Sequence, residues 1–204
     1  MPAVPPSPTD RRAAIETAIA ATGLVARGWL ALRPEDGVPA LPDGRAATAL
    51  VLVGRLGRPG WSAFAASPEA RDRAPDPLDR WSARVIGGLA DAVGGRALFP
   101  FGGPPWWPFQ RWAMRAEPVA PSPLGLLIHP EAGLWHAYRG AVALADDVGE
   151  IVAPASVEPP CASCAGRPCL TRCPVDAFDE TGYDVVRCVA HVESPLGALC
   201  RTDG

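Results

Sequence analysis

The sequence lacks every feature that would tie it to a membrane or to nucleic acid. No apolar run approaches the roughly 20 residues that a membrane-spanning helix requires. The first ten residues, MPAVPPSPTD, have neither the basic region nor the apolar stretch of a secretory signal. The net charge is −3 and like charges do not run together, so no basic surface for phosphates is indicated. We therefore expect a cytoplasmic protein that binds neither membrane nor nucleic acid.

Cysteine is absent from the first 160 residues and then occurs six times before the chain ends. Structural disulfides are rare in a reducing compartment, so thiols confined to one segment favour metal ligation. No Walker loop is present, and no Ser-His-Asp or Cys-His nucleophile can be argued from the residues. The chemistry of the chain is therefore expected in its cysteine segment.

The chain of 204 residues is 48% hydrophobic, which is ample for one buried core and a small appendage. Apolar residues at helical spacing predict a helix over 77–93, and Thr9 or Asp10 is expected to cap a helix that ends near Gly23. Short apolar runs predict strands at 24–33, 48–54 and 96–102. Two further strands, 124–129 and 135–144, flank PEAG and predict a hairpin.

These elements predict an α+β fold with a clear domain order. A disordered tail at 1–8 precedes an α+β domain at 9–152, and the Pro-rich segment 153–160 is expected to be a linker. The remainder, 161–204, is predicted to be a bacterial ferredoxin-like iron-sulfur module.

The cysteine segment begins with the run CASCAGRPCLTRCPVDAF. Cys161, Cys164, Cys169 and Cys173 have the spacing C-x2-C-x4-C-x3-C-P. Bacterial ferredoxins use C-x2-C-x2-C-x3-C-P, in which a tight loop wraps thiolates around one cluster and the fourth cysteine reaches its neighbour. The proline after the last cysteine and a short apolar helix, PVDAF, are further points of likeness. The run predicts ligands for a 4Fe-4S cluster, although four thiolates also suit zinc, which more often has two separated C-x2-C hooks.

Cys188 and Cys200 lie further along, Cys188 on a helix predicted to start near Tyr183. In a two-cluster arrangement, the first three cysteines of the run would hold one cluster, and Cys173, Cys188 and Cys200 the other. Such a module needs eight ligands, so one more C-x3-C-P segment is expected and the sequence would be truncated. Alternatively, the four cysteines of the run hold a single cluster. His191, on the same helix face as Cys188, is expected to shield or tune a cluster or to lie at the surface.

The order of an α+β domain, the segment SPLGLLIHPEAGLWHAYRGAVAL, a linker, and a cysteine run followed by YDVVRC resembles epoxyqueuosine reductase and related ferredoxin-like proteins over about residues 80–200. The same segment is similar to the cobalamin-processing decyanase family, which implies a nitroreductase- or cobalamin-processing-like N-terminal domain. In these families a corrinoid lies against that domain, and in the reductase the clusters deliver electrons to its cobalt. The resemblance implies a second cofactor, cobalamin or another flat molecule, beside His129, Trp135 and Arg139.

The sequence therefore predicts iron-sulfur cluster binding and ferredoxin-like electron transfer, with a redox partner protein or a bound small-molecule cofactor. One alternative is a corrinoid-dependent oxidoreductase related to epoxyqueuosine reductase. A second alternative is a zinc-stabilised binding module without a redox role.

Overall fold

The computed structural model describes residues 6–57, 61–179, 182–198 and 200, which form a mixed arrangement of helices and strands in two units. The first unit contains Met1–Pro118 and Trp135–Ser156, and the second contains Val119–Leu134 and Val157–Gly204. This division differs from the boundaries expected from the sequence in one segment, because residues 119–134 group with the cysteine-bearing part of the chain. Of the predicted tail, residues 1–5 lie outside the described residues, as do 201–204 of the predicted module.

Four helices of the first unit are α1 (Pro8–Ala21), α2 (Trp61–Ala65), α3 (Pro77–Val93) and α4 (Phe109–Ala116). Helix α1 begins slightly earlier than predicted, because the Ser7 hydroxyl accepts the backbone N–H of Asp10 at 3.2 Å and so caps the helix. Helix α3 has the predicted bounds, with a proline in its first turn and Gly94 in the left-handed conformation after its end. Trp81, Ile86 and Leu89 form its buried face.

The sheet of the first unit consists of β1 (Val25–Ala31), β2 (Ala49–Leu56), β3 (Arg96–Leu98) and β6 (His136–Leu144). Its strand order is β1-β2-β6-β3, and every neighbouring pair is antiparallel. Strand β2 is central, and its residues Leu50 to Val53 are completely buried. The continuous apolar run of the sequence is thus confirmed as a strand buried on both faces.

Two β-bulges interrupt this sheet near the same place. Two residues of β1, Arg27 and Gly28, lie opposite a single residue of β2, and Arg139 is an extra residue in β6. Gly28 has a φ of 121°, and a side-chain carbon there would collide with the carbonyl oxygen of Ala116. Bulges redirect side chains. Each of these two bulges contains an arginine whose guanidinium forms an ion pair within the first unit.

The hairpin predicted around PEAG is wrong. Strand β5 (Leu127–Ile128) pairs with β4 (Ala120–Pro121), whereas β6 pairs with β2 and β3. The turn signal produces only an isolated bridge between His129 and Gly133. A more local turn, in which the N–H of Ser122 donates to the Leu126 carbonyl, pairs β5 with β4. The nine residues of β6 pair instead with β2, which is a longer strand than β5.

The cysteine-bearing part of the second unit contains short elements, namely α5 (Pro168–Thr171), β7 (Phe178–Asp179), β8 (Gly182–Tyr183) and α6 (Val185–Glu193). Strands β7 and β8 pair, and a 3-10 turn at Pro195–Gly197 follows α6. The helix expected near Tyr183 is confirmed as α6, where the Asp184 carboxylate caps the first turn. The helix expected for PVDAF is wrong, because Asp176 has a φ of 48°, which a right-handed helix cannot contain. No helix in the described part of the chain is long and apolar enough to cross a bilayer.

Candidate metal centre

All six cysteines are free thiols in the second unit. Cys164 and Cys200 are exposed and the other four are half-buried, so none is sealed inside apolar packing. Accessible thiols can lose their protons and act as soft ligands for iron or zinc. The donor set therefore fits a metal or iron-sulfur centre by its chemistry.

The chain reverses direction between Cys164 and Cys169. Gly166 and Arg167 both have positive φ values, 69° and 39°, and helix α5 begins immediately after them. Cys169 lies within α5, and the helix ends before Cys173. The four residues between Cys164 and Cys169, two more than in bacterial ferredoxins, are thus taken up by this reversal.

Cys173 and Cys188 lie on either side of the β7-β8 hairpin and share Tyr183 as a neighbour. The backbone N–H of Ala177 donates to the Cys173 sulfur at 3.3 Å. A hydrogen bond to the Cys188 sulfur raises the pKa of the Tyr183 hydroxyl, and burial and the charge of the two cysteines raise it further. The Tyr183 ring also stacks on Phe178, with centroids 4.7 Å apart, which restricts the orientation of the ring.

Cys200 lies against His191. The Cys200 sulfur is 3.8 Å from Nε2 of His191, which is within hydrogen-bonding distance for sulfur. The sequence placed His191 near Cys188 by helix spacing, but it gave no sign of this second contact. The structure therefore places Cys200 beside His191 and Cys188 beside Tyr183.

Among the described residues, no three His, Cys, Asp or Glu side chains come together as a metal site. Within the described residues, the structure thus shows no convergence of the predicted ligands on one centre. It does not gather the first three cysteines of the run around one point within the part of the chain that it describes. The features that suit a metal are the type, number and accessibility of the donors.

The cysteine-bearing segment is also unusual in how little it buries. Between residues 157 and 200, the buried residues that the structure describes are Ala177 and Gly197. Helix α6 buries none of its residues, and Val186 and Leu196 are 81% and 85% exposed. Burying one large apolar side chain contributes about 1.5–3 kcal/mol, so this segment has very little of the usual stabilisation. Small modules of this kind are commonly held by metals or cross-links.

The three residues that the family resemblance placed beside a cofactor have different environments. His129 is buried, and its Nδ1 accepts the backbone N–H groups of Glu131 at 3.1 Å and Ala132 at 3.2 Å, which fixes the turn after β5. Trp135 is 80% exposed and leaves a broad apolar surface open to a ligand.

Arg139, the third of these residues, is engaged within the first unit. Its Nε donates to the Ser82 hydroxyl at 3.0 Å, and its Nη2 forms an ion pair with Asp79. The guanidinium also lies over the Phe101 ring, 5.5 Å from its centroid. Arg139 therefore stabilises the contact between β6 and α3, and a cofactor would have to compete with these partners.

The sequence missed a buried polar network around Arg27. Arg27 is 3% exposed and pairs with Glu117, whose second carboxylate oxygen accepts the Tyr138 hydroxyl. Arg27 also donates to Nδ1 of His136 at 3.3 Å. Burial raises the pKa of Tyr138 strongly, and the adjacent Glu117 carboxylate adds to the effect. The only sequence signal was Gly28 inside an apolar strand, which marks a bulge.

Comparison with models of known protein families finds no match. Comparison with curated proteins finds no significant relative either.

Proposed function

We propose that the second unit binds one or two 4Fe-4S clusters through its cysteines and transfers electrons in the manner of a ferredoxin. In this proposal the first unit is a nitroreductase- or cobalamin-processing-like domain that accepts a cofactor or a redox partner, akin to the epoxyqueuosine reductase family. The observation that supports it most is that all six free, accessible thiols occur in a segment with almost no buried apolar residues. Ligation would supply the stability that burial does not.

The cysteines and their neighbours suit this role. An iron-sulfur cluster takes up and releases single electrons, and its potential depends on the charge, hydrogen bonds and exposure around its sulfurs. The N–H of Ala177 donates to the Cys173 sulfur, which stabilises negative charge there. The exposure of Cys164 and Cys200 leaves short paths to a partner protein at the surface.

The corrinoid-dependent oxidoreductase is supported by one observation, the 80% exposure of Trp135. A flat macrocycle could stack on this indole ring, and electrons from the cysteine segment would then reach a bound cofactor. The zinc-stabilised module is supported by the same thiols that support iron, since zinc also accepts four cysteine ligands.

The test is anaerobic purification followed by metal analysis and absorption spectroscopy. We expect iron and acid-labile sulfide, with a broad visible absorbance that dithionite bleaches. Sharp bands at longer wavelength after incubation with cobalamin would support the corrinoid alternative. Stoichiometric zinc with a featureless visible region would overturn the redox proposal, and disulfides with no metal would overturn metal binding altogether.

The Cys164→Ala variant tests whether Cys164 itself is an iron ligand. We expect this variant to lose most of the bound iron, because a lost thiolate opens the cluster to solvent. Ser163→Ala, a change at the neighbouring exposed residue, is the matched control and should bind as much iron as the unaltered chain. Equal iron in both variants would show that Cys164 is not a ligand.

A further inference from the structure

We propose that the first unit binds an aliphatic monocarboxylate, a molecule with one carboxylate and an apolar body, in a cavity beside the end of β1. The cavity has a volume of about 360 Å³ and lies between this strand, helix α4 and the chain that follows β6. All of its lining residues belong to the first unit. The proposal therefore concerns a site separate from the cysteines, and it does not depend on metal binding.

The walls of the cavity are mostly apolar. Leu30 is 2% exposed and Met114 is 40% exposed, so the cavity reaches from the core of the unit to its surface. Its volume is near the lower end of the range of small-molecule sites, which favours a short ligand. An alkyl chain in the cavity would be removed from water together with part of the Met114 side chain. The apolar lining residues are Leu30, Ala31, Met114, Ile151, Ala153 and Pro154.

The charged residues that line the cavity are Arg33 and Arg115, and no acidic side chain is among the described lining residues. The Arg33 side chain is 60% exposed, and its guanidinium makes no hydrogen bond with the part of the chain that the structure describes. Its ion pair with Glu35 joins atoms 3.9 Å apart at an exposed position and is therefore weak. Arg33 thus offers a planar set of N–H donors to an anion at the cavity.

A single buried carboxylate holds both arginines in place. Asp36 accepts N–H groups from Nη1 of Arg115 at 2.6 Å and 2.9 Å, and it also accepts the backbone N–H of Arg33 at 2.8 Å. Nη2 of Arg115 donates to the Ala31 carbonyl at 2.6 Å, which attaches the guanidinium to the end of β1. These bonds fix the polar end of the cavity before any ligand arrives, which lowers the entropic cost of binding.

The balance of charge decides the class of ligand. Asp36 neutralises Arg115, so the net positive charge at the cavity comes from Arg33. A guanidinium binds a carboxylate through two parallel hydrogen bonds, and one carboxylate matches the charge of one arginine. A cationic ligand would be repelled by Arg33. The site therefore suits a molecule with one carboxylate at one end and an aliphatic chain at the other.

The experiment uses Met114 as a reporter in the full chain. The sequence contains two methionines, Met1 and Met114, so protein labelled with 13C-methyl methionine gives a signal that is readily assigned to the cavity. At neutral pH the protein is titrated with octanoate and, separately, with 1-octanol, which has the same chain length without the charge.

Three variants accompany the unaltered protein. Arg33→Gln removes the proposed anion-binding group, and Ala153→Phe fills the cavity from an exposed position in its wall. Arg71→Gln, a change at an exposed arginine that does not line the cavity, is the matched control.

We expect octanoate to shift the Met114 signal saturably and to bind roughly tenfold more tightly than octanol, because a hydrogen bond to a charged group is stronger than one to a neutral group. Arg33→Gln should reduce octanoate affinity to about that of octanol. Ala153→Phe should abolish binding of both molecules, and Arg71→Gln should change neither.

Equal affinities for octanoate and octanol, or unchanged octanoate binding in Arg33→Gln, would overturn the assignment of a carboxylate. Absence of a saturable shift from the unaltered protein would overturn the site itself. Binding that survives in Ala153→Phe would also overturn it and would point to the second cavity that Arg33 lines, of about 420 Å³. Because the Arg33 guanidinium is exposed and weakly paired, Arg33→Gln remains decisive if Ala153→Phe disturbs the fold.

Discussion

The first unit and the cysteine-bearing part of the second unit differ in what holds them together. Strand β2 is completely buried from Leu50 to Val53, and α1 and α3 contribute Ile19 and Ile86 to the same core. In contrast, the described part of residues 157–200 buries only Ala177 and Gly197. The comparison shows that apolar burial accounts for the fold of the first unit, whereas the cysteine-bearing part of the second has very little of it. We propose that metal ligation stabilises this part instead.

Removal of the metal should have the largest effect on stability, and it should affect the second unit but not the first. Structural metals can contribute on the order of 10 kcal/mol to small modules, so α6 should lose its order when iron is stripped from the protein. Strand β2 should be unaffected because its stability comes from burial. Amide hydrogen exchange of both elements, with and without iron, measures this difference. Equal protection of α6 in the two states would show that ligation does not stabilise it.

Breaking the buried ion pair of the first unit should have the next largest effect. Glu117→Ala leaves Arg27 as an uncompensated buried charge, which should lower the free energy of unfolding by about 3–5 kcal/mol. Asp43→Ala removes an exposed partner of Arg45 and should cost at most about 1 kcal/mol. Urea unfolding of the first unit measures both changes. Iron content should stay constant in both variants. A loss of iron in Glu117→Ala would show that iron binding in the second unit depends on the stability of the first.

Apolar truncations should affect the two units unequally. Leu52→Ala empties part of the core and should destabilise the first unit by about 2–5 kcal/mol. Val186→Ala, at a position that is 81% exposed, should change stability by less than about 0.5 kcal/mol. Denaturant midpoints for the two variants test the comparison directly. A large loss of stability in Val186→Ala would reveal packing on α6 that the structure does not contain.

The smallest expected effect is a pH dependence from Glu69. Hydrogen bonds from Arg84 lower the pKa of Glu69 from 4.5 to about 2. A depressed carboxyl pKa contributes stability above pH 4.5, and this contribution is lost as the pH falls toward 2. Glu69→Gln should therefore flatten the decrease in unfolding free energy over that interval. Glu158→Gln, a change at an exposed carboxylate, is the control, and an equal flattening there would assign the slope to other groups.

The sequence predicted best the elements whose residues interact locally. Helix α3 follows from its apolar period, its N-terminal proline and the glycine after its end, all of which act within a few residues. The partner of β6 could not be found in this way, because β2 lies about 80 residues earlier and the PEAG turn signal fixes only a local bridge. PVDAF failed as a helix because a left-handed residue, Asp176, interrupts it.

The candidate site shows the same difference between local patterns, which the sequence reveals, and long-range contacts, which it does not. The spacing of the cysteines identified the type of ligand and the segment that carries it. The approach of Cys200 to His191 depends on the turn through Ser194 and Gly197, and no pattern in the sequence predicts that those residues reverse the chain so closely. The Arg27 network joins Arg27, in the bulge of β1, to Tyr138, next to the bulge of β6, and these two strands flank β2, an arrangement that only the tertiary structure reveals.

The path of the chain between the units has a practical consequence. The backbone leaves the first unit after Pro118, returns at Trp135 and leaves again after Ser156, so three covalent crossings join the two units. A single protease cut near residue 156 would leave residues 119–134 attached to the first unit at both ends. Anyone who wishes to transplant the cysteine region into another scaffold must therefore move two separate pieces of sequence.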